Sequence, residues 1–256
     1  MLDKAKILKG FKLHAKDGEI GSVEEFYFDD KHWTVRYLVV DTGNWLMGRE
    51  VLISPYAVTS VDRDLKTISV NLTKKQIEDS PLIESHKPVS RQFEDSYYAY
   101  YGWPSYWDGP YAWGSYSYAS EARDHWDRVR RNEENGDRNL RSTKDVTGHH
   151  IQASDGEIGH IEDFIIDDDS WTIRYLVVDT QNWWPGKTVL ISPLWIESIS
   201  WIEAKVFILM SKEDVRKSPE YNETALLERG YEELLHRHYN RDGYWDMDHV
   251  GAKLVY

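Results

Sequence analysis

Cysteine is absent from the 256 residues, which excludes disulfides, thiolate metal sites and a thiol nucleophile outright. Long apolar runs are missing too. The longest, such as Tyr37 to Val40 and Val206 to Met210, are strand-sized and far short of the roughly 20 residues that a membrane-spanning helix needs. Basic residues are in deficit, 31 against 44 acidic, for a net charge of -13. So negative a chain repels phosphate backbones unless a local basic patch overrides it, and the sequence offers none. Direct nucleic-acid binding is therefore not expected. The opening Met1-Leu2-Asp3-Lys4-Ala5-Lys6 lacks the positive region and apolar stretch of a secretory signal, which makes a cytoplasmic location the expectation. Gly-rich phosphate loops, nucleophile elbows, metalloprotease helices and dinucleotide fingerprints are all absent. A protein without catalytic residues, metal or cofactor is the expectation.

What the chain has in excess is rings, 12 Trp and 17 Tyr, which need burial or a partner surface. It also repeats itself. Asp17-Gly18-Glu19-Ile20-Gly21 recurs as Asp155-Gly156-Glu157-Ile158-Gly159, an offset of 138 that holds without a gap through Pro81 and Pro219. Within it the strand Trp33 to Thr42 returns as Trp171 to Thr180, and Val51-Leu52-Ile53-Ser54-Pro55 as Val189-Leu190-Ile191-Ser192-Pro193. Roughly thirty positions of that stretch are identical to their partners, far beyond composition.

Each copy reads as short strands separated by turn signals. Asp29-Asp30-Lys31-His32 is a polar hairpin loop between a strand holding Ile20, Val23, Phe26 and Phe28 and a return strand from Trp33 to Asp41. Val35 to Val40 is nearly continuous in apolar character and β-branched, so it is expected to be central and covered on both faces. Strands at 50–53, 58–62 and 67–71 follow, and then short helices capped by Thr73 and Ser211. The fold class expected is mainly β: two tandem small antiparallel β-barrels, each ending in a short helix, with an aromatic-rich connector and a C-terminal helix. The domains are 1–81, a connector 82–146, 147–221, and a tail 222–256. A unit of about 70 residues buries too little surface to be comfortable alone, so packing between copies or across a homodimer is expected.

The Asp-Gly-Glu-Ile-Gly turn, the Phe-x-x-Asp-Asp hairpin, the Trp-x-x-Arg-Tyr-Leu-Val-Val-Asp-Thr strand and the Val-Leu-Ile-Ser-Pro strand, all present twice, resemble the PRC-barrel domain family. That family is found in the cytoplasmic part of the photosynthetic reaction-centre H subunit and in a ribosome-maturation factor. The resemblance implies a non-enzymatic module for interaction and assembly. By family analogy it points to photosynthetic reaction-centre or electron-transport complexes, reached by peripheral association because no transmembrane segment is present. The alternatives are a small-ligand binder in an aromatic cleft between the barrels and a ribosome or RNA-processing accessory factor.

Between Phe93 and Tyr118 nearly half the residues are aromatic and none is basic. No helical or strand period emerges there, and three readings stay open: an adhesive arm on a partner, a connector packed on its own barrels, and a disordered segment. The candidate interaction residues are Trp33, Trp45, Trp103, Trp107, Trp113, Trp171, Trp183 and Trp184, with core packing the competing reading for the recurring ones. Glu121 to Arg141 reads as a solvated mixed-charge segment. Leu226, Leu227, Tyr231, Leu234 and Leu235 mark an amphipathic C-terminal helix that must cover something. Asp29-Asp30 and Asp167-Asp168-Asp169 read as hairpin turns rather than a cation site. His149-His150 and His236-Arg237-His238 read as surface histidines rather than zinc ligands. Arg36 and Arg174 are expected in structural ion pairs with acidic neighbours such as Glu24 and Glu162. Gly18-Glu19-Ile20-Gly21 enters a strand, so a turn is expected there rather than an RNA-clamping loop.

Overall fold

The computed structural model describes residues 1–81, 89–107, 140–180, 187–222 and 227–246, and the chain is mainly β. It divides into two compact units. The first unit is Ile7–Ser142, and the second joins Met1–Lys6 to Thr143–Tyr256. The second unit is thus discontinuous in sequence, since it takes the first six residues of the chain.

The chain opens with β1 (Leu2–Lys4), which belongs to the second unit, and the single-turn helix α1 (Ala5–Leu8); in the first unit β2 (Lys12–Ala15), β3 (Gly18–Asp29), β4 (Thr34–Asp41) and β5 (Glu50–Ile53) then run antiparallel in that order. A hairpin of β6 (Val58–Asp62) and β7 (Thr67–Val70) returns to the free edge of β2, where β7 pairs in parallel. The expectation of purely antiparallel barrels is corrected on that point. The ladder is mixed, and among the described residues none joins β5 to β6, so the sheet stays open. A parallel pairing satisfies the edge groups of β2 as an antiparallel one would, and the hairpin arrives running in that direction. Beyond β2, the same edge of β3 is covered by β8 (Leu140–Ser142).

β4 is buried from Thr34 through Val40, as its apolar run predicts. A helix supplies the second cover. α2 (Lys74–Glu78) is short and capped by Thr73 in a reciprocal capping box with Gln76, but α3 (Arg91–Tyr101) is an 11-residue helix in a stretch where the sequence shows no period. Its cap is Ser90, and Gly102 ends it in the left-handed conformation at φ 67°. Glu94, Tyr97 and Tyr98 are buried, with Phe93 and Tyr101 partly so. That is a helical face, hidden in the sequence because tyrosine occupies almost every position of its last turn. Tyr97, Tyr98 and the following Tyr106 form one core cluster with Tyr37, Val39 and Leu52. A helix this short is marginal in isolation, so its order comes from that packing.

The second unit repeats the plan with β9 (His150–Ala153), β10 (Gly156–Asp167), β11 (Thr172–Asp179), β12 (Thr188–Ile191), β13 (Ile196–Ser200) and β14 (Lys205–Ile208), preceded by the single-turn helix α4 (Thr143–Val146). β14 pairs in parallel with β9, and β1 covers the far end of the β10 edge. α5 (Lys212–Lys217) is capped by Ser211 with Asp214 as reciprocal partner. α6 (Arg229–His238) is the C-terminal helix, and Leu235 on it is fully buried.

The repeated Asp-Gly-Glu-Ile-Gly turn has a steric and a capping reason. Gly18 and Gly156 sit at φ 138° and 144°, where only glycine is comfortable. A Cβ on Gly21 would lie 1.9 Å from the Asp41 carbonyl oxygen, and one on Gly159 2.0 Å from that of Asp179. The aspartates cap helices: Asp17 Oδ1 accepts from the Lys74 amide at 2.7 Å and Asp155 Oδ1 from the Lys212 amide at 2.8 Å.

Gly21→Ala and Gly159→Ala each force backbone against backbone, so each is expected to lose about 3 kcal/mol or more in urea unfolding. Gly230→Ala, in α6 with open space at its Cβ, is expected within about 1 kcal/mol of the parent and on the stabilising side.

Candidate functional site

β3 and β4 carry two register shifts, one of which gives Arg36 no partner between the pairs Tyr27↔Tyr37 and Phe28↔Val35. Such a bulge breaks strict alternation, so consecutive Arg36 and Tyr37 both reach the helical segment. The Tyr106 ring lies under the Arg36 guanidinium at 4.1 Å, and Glu94 Oε1 accepts from Tyr37 at 3.0 Å and from Tyr106 at 2.7 Å. Arg36 donates to Asp29 Oδ2 at 3.0 Å, and His32 Nδ1 lies 2.7 Å from the same oxygen. Arg36 and Glu94 have no solvent exposure. Burial alone would raise the Asp29 carboxyl, but the His32 hydrogen bond and the Arg36 charge outweigh it and hold the group well below the usual carboxylate range.

The same seam recurs in the second unit at an offset of 138. Arg174 sits in the equivalent bulge, donates to Asp167 Oδ2 at 2.9 Å and lies 3.9 Å from the Tyr244 ring centroid. Glu232 Oε1 accepts from Tyr175 at 3.0 Å and from Tyr244 at 2.9 Å. One substitution changes its chemistry: where the first unit has Tyr98, the second has His236, 2% exposed. Its Nδ1 lies 2.8 Å from the Asp242 carbonyl oxygen, which only accepts, so Nδ1 carries a proton. Its Nε2 lies 3.0 Å from the Tyr175 hydroxyl, whose single proton also faces Glu232. That hydroxyl has one proton for two acceptors, so Glu232 and His236 compete for it. Burial pushes Glu232 up and His236 down, toward the uncharged pair, while Arg229 at 3.1 Å from Oε2 favours the carboxylate.

These placements revise several expectations. Arg36 and Arg174 pair with Asp29 and Asp167, whereas Glu24 and Glu162 face Lys9 and Lys6 at 3.9 and 3.8 Å. The bulge turns the guanidinium toward the hairpin end. Asp29 takes the expected turn role, accepting from the Lys31 and His32 amides, and is in addition a buried partner of that cation. His236 is core, while His150 pairs with Glu157 at 3.0 Å and His238 Nε2 meets the Asp214 carbonyl at 2.8 Å. Asp167, Asp168 and Asp169 bring their carboxylates together among the described residues, and the Met1 ammonium faces all three.

Trp33 and Trp171 are 8% and 6% exposed, at φ 52° and 55° where each hairpin enters its return strand. Trp33 stacks on Phe28 at 5.2 Å. Trp103 and Trp107 pack part-buried on the Tyr37 cluster of their own unit. Trp45 is part-buried under the Lys74 ammonium at 4.6 Å, beside a cleft of about 280 Å³ lined by Lys12, Glu19, Ser22, Asp41 and Asn44. Trp113, Trp183 and Trp184 lie outside the described residues.

The seam residues Glu94, Tyr106, Glu232 and Tyr244 escape the sequence reading, yet their signal is in the repeat. After nine positions without a match, the same offset resumes: Arg91, Glu94, Tyr101, Tyr106 and Trp107 correspond to Arg229, Glu232, Tyr239, Tyr244 and Trp245. The stretch that reads as a connector begins with the first copy's own closing helix.

Removing one partner of a buried pair strands the other charge, so Asp29→Asn is expected to cost about 3 kcal/mol at neutral pH. Because the folded pKa is depressed, the parent keeps this stability above the ordinary carboxylate range, begins to lose it as pH falls below that range and loses it fully only below the depressed folded value. Urea midpoints between pH 7 and pH 3 are expected to show a shallower acid slope in the variant than in the parent.

Residues 8–77 match the family model of the PRC-barrel domain. No curated protein matches the chain. The matched stretch begins in α1 and ends in α2, taking in β2 to β7, the first copy's glycine turn and the Arg36 bulge. The chain therefore carries a PRC-barrel domain at residues 8–77, and roughly thirty positions of that copy recur in the second at a constant offset.

Proposed function

We propose that this chain is a non-enzymatic interaction module whose partner docks on aromatic surface of the first unit, a second copy forming a homodimer. One observation carries the reading. Tyr56, 49% exposed, lies 5.2 Å from Trp103; Trp103 stacks on Tyr101 at 4.4 Å; and Tyr101 meets Tyr100, 41% exposed, at 4.8 Å. Such rings offer large contact area at low rotamer cost. The equivalent positions of the second copy are Leu194, Arg241, Tyr239 and His238, so the strip belongs to the first copy. The Arg, Glu and Tyr groups of the seam are spent on each other inside the core, which favours scaffold over catalyst. The PRC-barrel domain supports the same class.

The finer reading, peripheral docking on a photosynthetic reaction-centre or electron-transport complex, rests on family analogy, and the cytoplasmic location on the make-up of the opening residues. The small-ligand alternative has the cleft beside Trp45 behind it. That cleft, lined by polar groups together with Ile20 and the Trp45 ring, is near the lower end of ligand-pocket volumes, roughly 300 Å³, and this reading comes second.

The test is sedimentation of the full chain at micromolar concentration. Tyr56→Ser with Tyr100→Ser removes two exposed rings, so the dimer is expected to weaken by about tenfold or more with an unchanged thermal midpoint. A parent chain that sediments as a monomer, or a variant that associates equally well, overturns the homodimer.

A further inference from the structure

The three residues ahead of each copy's first helix correspond at the offset of 138: Leu2-Asp3-Lys4 and Leu140-Arg141-Ser142. Neither leader belongs to the unit that the rest of its copy builds. β8 lies antiparallel on β3, with Leu140↔Asp29, Arg141↔Phe28 and Ser142↔Tyr27. β1 lies on β10 in the equivalent register, with Leu2↔Asp167, Asp3↔Ile166 and Lys4↔Ile165. The chain passes between units at Lys6–Ile7 and again at Ser142–Thr143.

The receiving edges are built alike. Beyond the leader's start, Asp30 accepts from Arg141 Nε at 2.8 Å, and Asp168, its equivalent, accepts from the Met1 ammonium. Near its end, Glu25 accepts from the Ser142 hydroxyl, and Asp163 Oδ1 accepts from the Lys6 amide at 3.1 Å. A short run of strand edge with a carboxylate at either end fits an extended segment led by a cation, and main-chain hydrogen bonds supply the affinity as in strand addition. The leaders cannot easily fold back on their own copy. β1 ends at Lys4 and α1 starts at Ala5, and β8 ends at Ser142 where α4 starts at Thr143, so no loop residue is left to reverse the chain.

We propose that this acid-flanked edge is a binding surface of the repeat, and that its ligand is the leader strand of another copy of the repeat. In this chain the two copies are fused and each completes the other's unit. A second chain offers the same leader in trans, against a tethered one whose effective concentration is of millimolar order, so the closed single chain prevails at micromolar concentration.

The cysteine-free sequence makes the test clean, since directly opposed antiparallel residues stand within disulfide reach. Under mild oxidation, Lys4→Cys with Ile165→Cys, and Ser142→Cys with Tyr27→Cys, are expected to close into intrachain disulfides with a mobility shift on a non-reducing gel. Lys4→Cys with Tyr27→Cys is expected to stay reduced. Disulfide-linked dimers of the Lys4/Ile165 variant after refolding at high concentration support the same surface used in trans. Closure of the Lys4/Tyr27 pair, or of neither exchanged pair, overturns the proposal. Hydrogen exchange on Asp3→Pro tests it through the leader's own main chain: amide protection is expected to drop at residues 165–167 and persist at 27–29, and the reverse pattern overturns it.

Discussion

Burial of β4 and β11 on both faces is the constraint from which the rest of this molecule follows. A strand as apolar as Val35 to Val40 cannot leave one face in water, and a sheet core covers only one. The second cover is a helix and the segment after it, which bring Tyr97, Tyr98 and Tyr106 onto Tyr37 and Val39 in the first unit. The aromatic excess, puzzling as composition, is in large part the material of that second layer.

Covering the strand this way buries its one cation. The bulge at Arg36 and Arg174 points a guanidinium into the layer, where an unpaired charge would be costly. Each copy answers with the same parts: an aspartate at the hairpin end, a tyrosine ring against the guanidinium, and a glutamate that gathers two tyrosine hydroxyls. The copies then diverge at Tyr98 and His236. That one change sets an imidazole beside the tyrosine and glutamate of the core, where the first copy has a phenol, while the backbone around it keeps its plan.

Much of this was legible in advance. The duplication, the two-sided strand, the caps at Thr73 and Ser211, and the family resemblance rest on local pattern, which a single sequence displays directly. The helix at Arg91–Tyr101 was masked because tyrosine on nearly every position of its last turn leaves no contrast between faces. The pairing of Arg36 with Asp29 rather than Glu24 was hidden because a bulge shifts alternation by one residue, and nothing in the letters marks where a bulge falls. The mixed sheet was missed for a related reason: turn residues announce that a hairpin forms, not the direction in which it meets a distant edge.

The sequence by itself determined the repeat, the strands within it and the residue types that must be buried, because these depend on spacing along the chain. Tertiary structure alone decided which copy a segment serves. Leu2–Lys4 and Leu140–Ser142 are too short to carry a preference of their own, and backbone hydrogen bonds are nearly indifferent to sequence. Their partners are set by what lies within reach of a chain that leaves its strand directly into a helix, and that is geometry rather than composition.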